Sequence, residues 1–315
     1  MKPLSANLCE ARDIEISEAL CCPYKTHEMH NHHIDSTIWN DFRFREDDII
    51  IATYAKSGTT WVQQIVGQLL FGPSPLLPIS DMSPWLDFRF PEKNEKLKKI
   101  SSQKHRRFIK THLSVDTLVF SNDAKYIYIG RDPRDVVWSF YHHHIKANET
   151  WYRTLNETPG LIGPPMPRPT QDVRRYWKNW LHNDGAPFWP YWNNVLSWWN
   201  IRSLPNILFL HYSDMLKDAK RHIEIIANFI EVKVKENDLS EILKFCSFEW
   251  MKECGQKCLP LNGAFWNEGS KDFVNKGLNG RWRDVLTQSD IEEFESISKK
   301  KLGNDCCSWL MYGKS

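Results

Sequence analysis

No apolar stretch in this chain approaches the roughly 18–20 residues needed to cross a bilayer. Charges interrupt the opening MKPLSANLCEARDIEISEALCC, so it does not read as a signal peptide. Neither charge sign is in excess: 41 Lys and Arg face 39 Asp and Glu among 315 residues. That balance argues against a nucleic-acid or membrane partner held by a global field, and any anion site must be local. The eight cysteines lack the spacing of a disulfide framework. Cys21–Cys22 and Cys306–Cys307 are sequence neighbours, which points to reduced thiols in a cytoplasmic protein. Cys254 and Cys258 form C-x-x-x-C with no second pair, so structural thiols are expected there and no metal. Residues 1–38 are polar and weakly patterned; THEMHNHH at 26–33 reads as a solvated segment, with opportunistic metal binding as the alternative. There is no internal repeat and no domain-sized linker, so a single domain over 1–315 is expected.

What is present alternates strand and helix. DDIIIATYA (47–55) is a short β-branched run of the kind buried in parallel sheets. SGTTWVQQIVGQLLF (57–71) follows with a helical apolar period at Trp61, Ile65 and Leu69. FIKTH (108–112), AKYIYIGRDP (124–133) and NILFLHYSDM (206–215) read as three more strands, the last two running into helices at 135–144 and 219–230. The order implies an α/β fold, a parallel sheet with helices on both faces. WYRTLNETPGLIGPPMPRPTQ (151–171) breaks the rhythm. It is too long and too rich in Pro and Gly for an ordinary connection, and reads as a lid or a tolerated insertion.

In such sheets ligands bind beyond the C-terminal strand ends. TYAKSGTTW (53–61) lies there and is laid out as an anion loop. Gly58 permits close backbone approach, and the amides of Gly58, Thr59 and Thr60 would open the helix toward negative charge. The loop lacks the G-K-[ST] of a nucleotide-triphosphate P-loop, because Lys56 comes two residues before the glycine. Lys110 and His112 end a second strand, and a histidine there suits general-base work. Arg131 ends a third strand, Ser139 follows on the next helix, and Lys276 with Gly277 offers a second anion contact. Two separate anion subsites imply a ligand carrying phosphates at two places.

Together these elements resemble the cytosolic sulfotransferase family over about residues 39–310. TYAKSGTTW is similar to its 5′-phosphosulfate loop and KTH (110–112) to its catalytic-histidine strand. RDPRDVVWS (131–139) is similar to its 3′-phosphate motif and NKGLNGRW (275–282) to its C-terminal R-K-G-x-x-G-x-W motif. The resemblance implies a P-loop-like fold and transfer of a sulfuryl group from PAPS (3′-phosphoadenosine 5′-phosphosulfate) to a hydroxyl or amine of a small molecule, with PAP as product and no metal. It implies His112 as base, Lys56 at the departing oxygen and Lys110 at the sulfuryl oxygens. Ser57, Gly58, Thr59 and Thr60 would hold the 5′-phosphate. Arg131, Ser139, Lys276 and Gly277 would hold the 3′-phosphate, and Trp61, Tyr212 and Phe248 the adenine.

This chain departs from the family pattern in places. Asn275 stands where animal members carry the arginine of R-K-G, and Cys246 replaces the Thr of T-S-F. Ala55 replaces a common proline. Arg283, Thr287, Gln288 and Glu292 occupy a degenerate dimer motif, so a monomer or weak homodimer is expected. The style of NKGLNGRWRDVL is closer to bacterial members. By position, Trp85, Asp87, Phe88, His143 and Trp266 are the acceptor-pocket candidates, and Asp87 with His143 among aromatics points to a polar or cationic acceptor. The rival readings are a kinase with a variant P-loop and a non-catalytic nucleotide-binding scaffold. Against the kinase, no Asp is evident beyond the loop to position Mg²⁺.

Overall fold

A computed structural model describes residues 23–313. Most of the polar opening segment, with Cys21–Cys22, lies outside them. Four parallel strands form the sheet: β1 (Ile49–Thr53), β2 (Phe108–Thr111), β3 (Lys125–Gly130) and β4 (Ile207–His211), in the order β2-β1-β3-β4. Ile50 lies opposite Ile109 on one side and Tyr126 on the other, and Tyr126 lies opposite Ile207. All five residues of β1 are buried, which is why its sequence is apolar up to Thr53 and does not alternate.

Successive side chains point to opposite faces. Ile49, Ile51, Ile127 and Ile129 pack on one face with Val62 and Ile65 of helix α1 (Thr59–Phe71). Ile50, Ala52, Tyr126 and Tyr128 pack on the other with the indoles of Trp198 and Trp309. Each buried isoleucine contributes about 1.5–3 kcal/mol, so both faces must be covered. At the strand entrances Arg107 Nε donates to Asp48 Oδ1 at 2.7 Å, with both side chains buried.

Beyond β3 the chain enters α2 (Pro133–Lys146). Asp132 caps it by accepting from the Arg134 amide, and Pro133 occupies the first turn, where no amide donor is needed. Next comes α3 (Glu149–Glu157), capped by Asn148. The sequence from 151 reads as an irregular loop, but its first residues complete this helix. The cap precedes the Pro-rich stretch, so the helical period is cut short. Residues 158–171 have no regular structure, yet they are pinned: the Met166 amide donates to Asn156 Oδ1 at 2.7 Å, and His144 Nε2 bonds the Pro167 carbonyl at 2.7 Å. Among the described residues no helix is long and apolar enough to cross a membrane.

The histidine-rich segment is exposed at residues 26–28 and partly buried at 29–31, as a solvated stretch would be, but its last two residues depart from that expectation. His32 and His33 are 4% and 3% exposed, because an isolated bridge from Ile34 to Phe88 carries them under the aromatic core. Thr287 also has a local task. It shares a reciprocal capping box with Asp290 at the start of the helix Gln288–Leu302.

Candidate active site

The C-terminal ends of the four strands converge on one cavity of about 460 Å³. The loop after β1 turns sharply there, with φ of 69° at Lys56 and 110° at Gly58. A Cβ at Gly58 would stand 2.9 Å from the Tyr212 ring, so glycine is required both for the turn and for the close approach. The first α1 amides then face the cavity without intrahelical partners. The Thr59 hydroxyl is shared with Thr53 Oγ1 at 2.6 Å, whereas no described residue bonds Thr60 Oγ1, which borders the cavity. Ser57 is buried and does not border the cavity, unlike Lys56, Gly58, Thr59 and Thr60, so the structure does not bring it to the site.

Three cations meet beside this loop. Burial, with the charges of Lys110 and Arg131, lowers the Lys56 ammonium to about 7. Burial lowers Lys110 to about 8, with Asp87 partly opposing it. Lys56 lies 4.3 Å from the Phe273 ring centroid and Lys110 4.7 Å from that of Trp85. Such crowding of desolvated cations is what a bound anion relieves.

His112 is 3% exposed at the end of β2. Its Nδ1 lies 2.8 Å from the Thr53 carbonyl oxygen, which can only accept, so Nδ1 carries the proton. Nε2 is left with a free lone pair. Burial, reinforced by Lys110 and Lys56, holds this imidazole well below its ordinary range, so it is neutral and able to take a proton.

The second group of anion-contact candidates starts from the same loop, through Arg131. Arg131 donates from one terminal nitrogen to the Lys56 carbonyl at 2.9 Å and from the other to Asn279 Oδ1 at 2.9 Å. Asn279 in turn donates to Ser213 Oγ at 3.0 Å. Sequence reasoning missed Asn279, whose only signal was its place inside the KGLNGRW motif. Ser139, Asn275, Lys276 and Gly277 border the same region. Gly277 has φ 63°, and a Cβ there would come within 2.5 Å of the Phe248 ring. The Gly280 amide donates to Asp135 Oδ1 at 2.7 Å, tying this loop to α2. Burial raises the Asp135 carboxyl to about 6, with Asp132 adding to the shift. Trp61 and Tyr212 meet edge to face at 5.7 Å, and Trp61 Nε1 donates to the Cys246 carbonyl at 2.8 Å. The Cys246 carbonyl thus fixes the Trp61 indole at the cavity wall.

The acceptor candidates divide. Trp85, Phe88, His143 and Trp266 border the cavity. Asp87 does not. It is fully buried, accepting from Trp85 Nε1 at 2.7 Å and from Trp39 Nε1 at 3.2 Å. Its carboxylate fastens the indole that walls the cavity and is spent on that task, which removes it as a partner for a cationic acceptor. His143 accepts from Lys56 Nζ at 3.2 Å, so it also faces the cation cluster. Phe188, Trp189 and His33 also line the wall, from segments without a period or motif to mark them. Cys258, read as a structural thiol, donates to Gln64 Oε1 at 3.1 Å.

A family model described as the sulfotransferase domain matches residues 46–305. Dog sulfotransferase 1B1 is 31% identical over 273 residues, covering 83% of this chain and 85% of that protein. A glycolipid sulfotransferase of Mycobacterium bovis is 27% identical, covering 89% and 92%. Among solved structures, retinol dehydratase in complex with androsterone and inactive cofactor PAP superposes with a TM-score of 0.63 at 26% identity, covering 85% of this chain and 84% of that one.

Proposed function

We infer that this chain, which belongs to the sulfotransferase family, divides PAPS-dependent sulfuryl transfer among the residues of the one cavity. PAPS, when bound, supplies the sulfuryl group that passes to a hydroxyl or amine of a small-molecule acceptor. The donor set suits it: two glycine-floored anion cradles, at Gly58 and Gly277, with aromatic rings between them.

The amides of Gly58, Thr59 and Thr60, with the Thr60 hydroxyl, hold the 5′-phosphate at the helix N-terminus. Lys56 enters from the strand side and stabilises negative charge on the bridging oxygen, the task for which a lysine before the glycine is suited. Lys110 neutralises the sulfuryl oxygens. Arg131, Ser139, Lys276 and the Gly277 amide hold the 3′-phosphate, with Asn275 adding a neutral donor. Trp61, Tyr212 and Phe248 enclose the adenine. His112 takes the acceptor's proton at Nε2. No metal is assigned a role. The observation that carries this reading is His112 itself, its proton committed to Thr53 and its Nε2 unbonded in a cavity shared with Lys56 and Lys110.

The same reading makes the protein a cytoplasmic monomer or weak homodimer without a nucleic-acid partner, and residues 158–171 a lid over the acceptor side. The test is PAP release from PAPS with a panel of phenols and amines in EDTA. Acceptor-dependent release without magnesium supports the assignment. Absence of release with every acceptor, or dependence on magnesium and a nucleoside triphosphate, overturns it.

A further inference from the structure

One imidazole of the acceptor wall has no part in the transfer chemistry. His33 is 3% exposed, borders the cavity and sits in a box of aromatic rings. The centroids of Trp151, Phe188 and Trp189 lie 5.4–5.7 Å from it, and those of Trp85 and Phe88 lie at 6.1 Å. Trp85 and Trp189 also pack against His112, at 4.8 and 5.8 Å. The base and His33 therefore flank the same two indoles.

The protons of this region follow from its hydrogen bonds. His32 Nε2 lies 2.7 Å from the Pro187 carbonyl oxygen, which can only accept, so His32 carries its proton on Nε2. Burial lowers both imidazoles from their ordinary range and keeps them neutral. His32 Nδ1 is then a lone pair, 2.6 Å from His33 Nδ1. His33 must donate from Nδ1, which leaves its Nε2 an acceptor. No described residue donates to that Nε2. That nitrogen is not among the buried polar atoms left without a partner, so it opens to the cavity, where a ligand can bring the donor.

Resting on the acceptor-pocket reading above, we propose that His33 Nε2 is a specificity contact, accepting a hydrogen bond from a second hydroxyl or N–H group on a flat aromatic acceptor whose reacting hydroxyl lies at His112. The aromatic walls select the flat ring, and the His32–Pro187 relay fixes His33 as an acceptor. The commitment of Asp87 to Trp39 and Trp85 leaves the donor-bearing end of the molecule to His33.

The test is calorimetric binding of four probes to the PAP-loaded protein: 2,6- and 2,7-dihydroxynaphthalene and their monomethoxy analogues. PAP carries no sulfuryl group, so the readout does not depend on turnover. A failure of sulfuryl transfer would show separately, in the PAP-release assay. At least one diol should bind about tenfold or more tightly than its methoxy analogue, because a site built to accept a donor rejects the analogue lacking it. His33→Phe should bring that ratio close to one, and His32→Phe, which frees the position of the His33 proton, should lower it. Equal binding of both diols and their analogues by the unaltered protein would overturn the proposal, as would a ratio unchanged in His33→Phe. If either variant fails to bind PAP, the unaltered protein's ratio decides alone.

Discussion

The Nδ1 of His112 lies 2.8 Å from the carbonyl oxygen of Thr53, the last residue of the strand that leads into the anion loop. One strand end thus sets both the phosphate cradle and the tautomer of the base. The two cannot drift apart, because β1 and β2 are hydrogen-bonded neighbours with Ile51 opposite Lys110.

Replacing His112 by alanine should therefore separate chemistry from cofactor binding. The expected loss in kcat is roughly 10²–10⁴-fold, the usual contribution of a general base. PAP affinity, measured by calorimetry, should stay near that of the unaltered protein, since the phosphate contacts are elsewhere. Normal turnover by this variant would remove His112 from its role.

Binding of PAP should take up protons at pH 8. Lys56 stands near 7 and Lys110 near 8 in the free protein, so at that pH both are partly neutral. The bound phosphate raises Lys56 directly and Lys110 through its added negative charge nearby, and the bound state then holds more protons than the free one. By linkage, affinity falls as pH rises from about 7 through 8 and beyond. Calorimetry in buffers of different ionisation enthalpy reads the uptake directly, and proton release would contradict the charge cluster described here.

Gly277→Val should weaken PAP binding by about tenfold or more. The position has φ 63°, where a β-branched side chain costs roughly 1–3 kcal/mol. The added Cβ would also press on the Phe248 ring, which is proposed to enclose the adenine. Equilibrium titration with PAP checks it, with thermal unfolding to confirm the fold.

Asn275→Arg should strengthen PAP binding severalfold at low salt. The position lines the cavity beside the proposed 3′-phosphate contacts and is only partly buried, so the gain is on the order of 1 kcal/mol and shrinks as salt is added. Lys252 already donates to the Asn275 carbonyl at 3.2 Å, so an arginine placed here joins an existing positive field. Titrations at two ionic strengths would show an unchanged affinity if Asn275 lies away from the phosphate.

The sheet was legible because its strands are short β-branched or aromatic runs ending in Lys56, His112, Arg131 and Tyr212, all at one edge. The anion loops were legible for the same reason: local sequence dictates a tight turn into a helix. The acceptor wall was not. His33 and Phe188 reach it from segments with no period, and whether Asp87 points into the cavity or under Trp85 depends on the packing of Trp39, far away in sequence. The helix Glu149–Glu157 was hidden because its last turn runs into the Pro-rich stretch that dominates the composition there.

The central claim is a cavity built for a nucleotide with phosphates at two places and worked by fixed cations. Parallel titrations with PAP and with ATP and Mg²⁺ test it most directly. The account predicts tight binding of PAP and weak binding of ATP, which lacks the 3′-phosphate that Arg131, Ser139 and Lys276 would hold. A preference for ATP would contradict it.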